Sequence, residues 1–152
     1  MNKRLVLILA MTAALVLILF SVGTALAQDN PDAILGDWLT EKGTAGITIY
    51  KCGKEFCGKV SWLKEPKDKD GKDKVDDKNP DATKKTRPIM GMNLVWGFEY
   101  KGGNKWEDGA IYDPEEGKTY KCKMTLDGEK LNVRGYVGIS LIGRTTVWSK
   151  KK

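Results

Sequence analysis

The chain contains no histidine among its 152 residues. That removes Ser-His-Asp and Cys-His machinery, His-ligated zinc and a histidine general base. Acid–base chemistry would fall to paired carboxylates, with Asp108, Asp113 and Glu115 the nearest set. Asp113 already has a role in the turn Asp113-Pro114-Glu115-Glu116-Gly117, with Pro early and Gly late. The run Asp68 to Asp73 faintly resembles a calcium loop, but lysines interrupt it and the closing Glu is missing at the expected offset. Solvated charge accounts for it, and neither a metal nor a cofactor is expected. The candidates for binding are Trp62, Arg87, Trp96, Tyr112, Arg134 and Tyr136. Aromatic walls with a few polar groups suit a cavity that orients a ligand. The alternative is that the aromatics are core and the arginines pair with carboxylates at a rim.

The three cysteines, Cys52, Cys57 and Cys122, permit at most one internal disulfide. Cys52 and Cys57 flank Gly53-Lys54-Glu55-Phe56, which reads as a hairpin loop, and opposed strand residues come close enough for a bridge. Cys122 alternates with apolar residues and reads as a buried thiol. A Cys57–Cys122 pairing stays open, because connectivity does not follow from sequence.

The compartment comes from residues 1–27. Lys3 and Arg4 precede an apolar run from Leu5 to Val22, followed by Ala25-Leu26-Ala27. A basic start, an apolar stretch and a small-x-small site predict a signal peptide cleaved after Ala27. The expected location is therefore the periplasm or outside the cell, where disulfides persist, with membrane contact only through this segment. Removing Lys3 and Arg4 lowers the net charge from +6 to +4. Acidic residues accompany most of the basic ones, so the focused basic face of a nucleic-acid binder is absent from the sequence and no nucleic-acid partner is expected.

Residues 28–152 must position the candidates within one domain. Alternating segments predict strands at 36–40, 46–52, 56–63, 93–100, 105–112 and 119–126, with a final hairpin over 131–148. In the fourth, Leu94, Trp96, Phe98 and Tyr100 should share a face. Leu131, Val133, Gly135 and Val137 share one in the last hairpin, as do Arg144, Thr146 and Trp148. Residues 64–86 differ in kind, holding eight Lys and seven acidic residues with almost no apolar side chain. Such a stretch reads as a long solvated loop, dispensable for folding, with one short helix over 80–85 capped by Asn79. Eight strands joined mostly by tight turns predict an all-β, up-and-down antiparallel meander, which removes its edges by closing into a barrel.

Several stretches together resemble the bacterial secreted family catalogued as domain of unknown function 2147. They are Gly36-Asp37-Trp38, Cys57-Gly58-Lys59-Val60 with Trp62-Leu63, Asp77-Lys78-Asn79-Pro80-Asp81 and Arg87-Pro88-Ile89-Met90-Gly91. Further on come Ile111-Tyr112-Asp113-Pro114 with Gly117-Lys118-Thr119-Tyr120, Val133-Arg134-Gly135-Tyr136, and Gly143-Arg144-Thr145 with Trp148. The resemblance implies a lipocalin-like barrel and no established activity. It also implies a closure in which Gly36-x-Trp38 packs against a late-strand arginine, here Arg144. The leading expectation is a non-enzymatic envelope or secreted protein holding a small apolar or amphiphilic ligand. A filled barrel acting as a protein-interaction module with an envelope partner is the alternative. A cavity above roughly 300 Å³ separates the two.

Overall fold

The computed structural model describes residues 29–151; residues 1–27, expected from sequence to be a signal peptide, lie outside them. No helix among these residues is long and apolar enough to cross a membrane. The eight strands are β1 (Gly36–Leu39), β2 (Ala45–Cys52), β3 (Glu55–Leu63), β4 (Asn93–Tyr100), β5 (Lys105–Asp113), β6 (Lys118–Asp127), β7 (Lys130–Tyr136) and β8 (Gly143–Lys150). They form a closed antiparallel barrel in sequence order, the lipocalin-like meander expected. The disulfide joins Cys52 to Cys57 across the β2–β3 turn, and Cys122 is a free, buried thiol whose pKa burial pushes up to about 12.

One end of the barrel is plugged. Residues Pro31–Ile34 make a single 3₁₀ turn, capped by the Asn30 side chain accepting from the Asp32 amide. Two buried indoles hold this plug: Trp38 Nε1 donates to the Ile34 carbonyl at 2.8 Å and Trp106 Nε1 to the Pro31 carbonyl at 3.1 Å. Burying an indole requires such a partner for its N–H. Above the plug, Trp38, Phe56, Phe98, Trp106, Met124 and Leu131 fill the lower half of the barrel.

The barrel closes through only two residue pairs between β1 and β8, Trp38 with Lys150 and Leu39 with Ser149. Side chains supplement this short seam. Lys150 Nζ lies 4.6 Å from the Trp38 ring centroid and donates to the Leu35 carbonyl at 2.7 Å, while the Glu41 carboxylate accepts from the Val147 amide at 3.1 Å. The closing cation is therefore Lys150. Arg144 pairs with Gly135 at the other end of β8 and is exposed.

The alternation expected in β4 is interrupted. Val95 and Phe98 are the buried pair, and Trp96 faces out. Gly97 has φ +76° and Asp108, on the neighbouring strand, has φ +63°. Positive φ breaks the two-residue repeat, and β5 shifts register against β6 between Trp106 and Gly109.

The charged segment is also more structured than its composition suggests. Lys67 bridges Asp73 in a small hairpin, with Asp68 capping its turn through the amides of Asp70 and Lys72. Val75 bridges Pro88. Between them Asp76 is fully buried and Asn79 nearly so. The helical piece is a 3₁₀ turn at Ala82–Lys84 whose cap is Asp81, accepting from the Thr83 amide. The first half of the segment is solvated as expected; the second half is anchored to the barrel at Asp76 and Asn79, while residues 82–86 stay exposed.

Candidate functional site

The other end of the barrel is hollow. A cavity of about 1100 Å³ opens between the β1–β2, β3–β4, β5–β6 and β7–β8 connections. Its inner wall includes Ile47, Val60, Leu94, Ile111, Val133 and Trp148. The reason lies in side-chain size. Large aromatics occupy the lower layers, whereas this half presents Val60, Val133, Gly135 and Thr146, which cannot reach across an eight-stranded barrel. The filled-barrel expectation thus holds for the plugged half alone.

Polar groups gather at the rim. Arg144, Lys74 and Lys78 line it beside Glu41, Glu65 and Glu116. The Tyr120 hydroxyl, on the cavity wall, donates to the Glu116 carboxylate. That hydrogen bond, helped by Lys118 and Arg144, lowers the Glu116 pKa, and it raises that of Tyr120. The mouth therefore carries a fixed carboxylate–cation pattern above an apolar chamber.

A second polar cluster locks the long connection to the outer wall. Asp76 accepts from Tyr112 Oη at 2.6 Å, Asn79 Nδ2 at 2.7 Å and Arg87 at 2.7 Å. Burial pushes the Asp76 carboxyl up, but these three donors together reverse it, leaving the pKa below 3.8. Burial and the Asp76 carboxylate raise the Tyr112 phenol to about 12.

The six residues singled out from sequence do not converge on one site. Tyr136 lines the cavity. Tyr112 lines both the cavity and an outer cleft of about 300 Å³, where Arg87 and Trp96 meet it, because the inward position of Val95 sends its neighbour Trp96 outward. Trp62 stands on the outer face with Lys151 Nζ 5.2 Å from its ring centroid. Arg134 is consumed by the β7–β8 loop, donating to the carbonyls of Ser140 and Leu141 and to the Thr145 hydroxyl. Of the carboxylates considered for acid–base work, Asp108 stands apart from Asp113 and Glu115, which share one turn at the cavity mouth. Asp108 pairs with Lys101 at 2.8 Å, while Asp113 accepts from the Glu115 and Glu116 amides in its turn. The aliphatic wall was visible only as ordinary strand alternation, which does not distinguish a filled interior from a hollow one.

The family model described as an uncharacterized protein conserved in bacteria (DUF2147) matches residues 36–150. No curated protein sequence matches the chain. Among solved structures, protein HP1028 from Helicobacter pylori, described as belonging to the lipocalin family, is similar with a TM-score of 0.67 and 18% identity. The match covers 78% of this chain and 82% of that one, and at this identity it establishes the fold alone.

Proposed function

The chain belongs to the bacterial DUF2147 family, and we propose that it is a non-enzymatic binding protein that holds a single small amphiphile in the open half of its barrel. The observation that carries this reading is the contrast within the cavity: aliphatic walls below, charges of both signs at the mouth. An acyl or similar apolar tail gains from burial at roughly 0.8 kcal/mol per methylene. A polar head would stay at the rim near Arg144, Glu116 and Tyr120, where it keeps hydrogen-bond partners.

The test is uptake of a dansylated fatty acid from monomeric solution, followed by its fluorescence. Saturable binding is expected. Thr146→Trp, which places an indole inside the cavity, should weaken it at least tenfold. Trp96→Ala, on the outer wall, should leave it unchanged. Absence of saturable binding, or equal binding by the Thr146→Trp variant, counts against the reading. Native mass spectrometry of protein from its own source adds the identity of any co-purifying molecule.

The same proposal places the protein in the periplasm or outside the cell, supported by the basic-apolar-small pattern of residues 1–27. N-terminal sequencing of the exported protein should begin at Gln28; a chain still starting at Met1 would contradict cleavage.

A further inference from the structure

The β7–β8 loop, residues 137–142, reads Val-Gly-Ile-Ser-Leu-Ile. Its four large apolar side chains are exposed: Val137 64%, Ile139 59%, Leu141 85% and Ile142 68%. Isolated exposed apolar residues are ordinary, but four at one loop tip are an unfilled contact surface. The tip is held in shape. Val137 and Ile142 bond through their backbones, as do Ile142 and Ile139, and Arg134 clasps Ser140, Leu141 and Thr145. The apolar side chains are therefore presented outward by a polar framework that spends an arginine on the task.

We propose that this loop docks the barrel mouth onto an anionic phospholipid bilayer, with Ile139 and Leu141 entering the interfacial layer. Three observations select a bilayer over a protein partner. The patch is aliphatic and confined to one loop, whereas a standard protein interface takes roughly 20–30 residues a side and its hot spots favour Trp, Tyr and Arg over Leu and Val. The surroundings are basic: from Lys130 to Lys152 the chain has no Asp or Glu, and Arg134 and Arg144 flank the loop. On the adjoining strand Lys121 pairs with Tyr136 and Lys123 with Arg134. An apolar tip with a basic shoulder is the pattern of interfacial binding. Finally, Val137 and Ile142 also line the cavity, so the docked loop forms one lip of the mouth. The acidic Glu41, Glu65, Glu115 and Glu116 lie on other connections, with Glu116 offsetting part of the Arg144 charge, so docking is one-sided. This contact is additional to any made by the N-terminal segment.

Docking itself does not depend on the cavity binding a ligand, and the experiment separates the two. The barrel domain, residues 28–152, is mixed with phosphatidylethanolamine/phosphatidylglycerol vesicles and floated on a density gradient. The unaltered domain should float, and less well with pure phosphatidylcholine vesicles. The double variant Ile139→Asp/Leu141→Asp should bind at least tenfold more weakly. Neither residue lines the cavity, so the variant should take up the dansylated fatty acid as well as the unaltered domain does, which also verifies its folding. Failure of the unaltered domain to float, or equal flotation of the variant, overturns the proposal. Self-association in sedimentation that the variant loses, without flotation, overturns it in favour of a second copy. Loop-dependent flotation without fatty-acid uptake upholds docking and removes the binding reading.

Discussion

Replacement of Asp76 by Asn should lower stability by about 2–4 kcal/mol, a large effect for one atom exchanged within a segment of 64–86 that looks solvated. The Asp76 carboxylate is fully buried and accepts from three side chains at once. An amide replaces one acceptor oxygen by a donor, leaving the Tyr112 hydroxyl or the Asn79 amide without a partner. Each stranded buried group costs roughly 1–3 kcal/mol. Arg87 is half-exposed and regains water, so the full penalty of a broken buried ion pair does not apply. The cluster also holds the connection against the barrel. Lys78 Nζ donates to the Glu115 carbonyl at 2.7 Å, and a Cβ on Gly117, which has φ +67°, would lie 2.0 Å from the Lys78 carbonyl oxygen. Urea unfolding measures the loss, and limited proteolysis should move to residues 64–92 first. A change below about 0.5 kcal/mol would mean that the buried carboxylate does not anchor the loop.

The same cluster sets a pH dependence. The Asp76 pKa is lowered in the folded state, so its stabilisation is present above the unfolded value near 3.8. It is lost as pH falls through the lower folded value. Tyr112 acts at the opposite extreme: its phenol is raised from 10.0 to about 12, so its contribution is complete below pH 10 and lost as pH rises toward 12. The difference between unaltered protein and Asp76→Asn should hold near neutrality and shrink in acid below about pH 4.

Much of the barrel was legible because a buried face repeats every second residue. Strand number, the Cys52–Cys57 hairpin and the shared face of Arg144, Thr146 and Trp148 followed from that repeat. Failures occurred where another force overrides it. Gly97 and Asp108 adopt positive φ, and the one-face reading of Leu94, Trp96, Phe98 and Tyr100 fails there. Asp76 carries no signal in its residue type, since its neighbours Asp73 and Asp77 are the same; its partners 3, 11 and 36 positions away, which only the fold brings together, distinguish it. The cavity is invisible for a related reason. Alternation states which side chains point inward, whereas a void depends on their summed size in one layer.

The pair that closes the barrel gives the last and sharpest expectation. Trp38→Ala should cost about 3–5 kcal/mol, because a fully buried indole leaves a cavity next to the plug and strands the Ile34 carbonyl. Lys150→Ala should cost less, about 1–2 kcal/mol, removing a cation over the indole face and the bond to the Leu35 carbonyl. Arg144→Ala should stay within about 0.5 kcal/mol, as for other exposed positions. Sequence pattern cannot choose between the two cations. They are an even number of residues apart on β8 and share a face, so alternation treats them alike. Position along the strand decides: six residues span roughly 20 Å, which carries Arg144 to the cavity mouth and leaves Lys150 opposite Trp38. A double-mutant cycle by urea unfolding reads the contact directly. Trp38 and Lys150 should couple by about 0.5–2 kcal/mol, and Trp38 with Arg144 should be additive. Coupling to Arg144, or none to Lys150, would move the seam of the barrel away from where the β1–β8 register puts it.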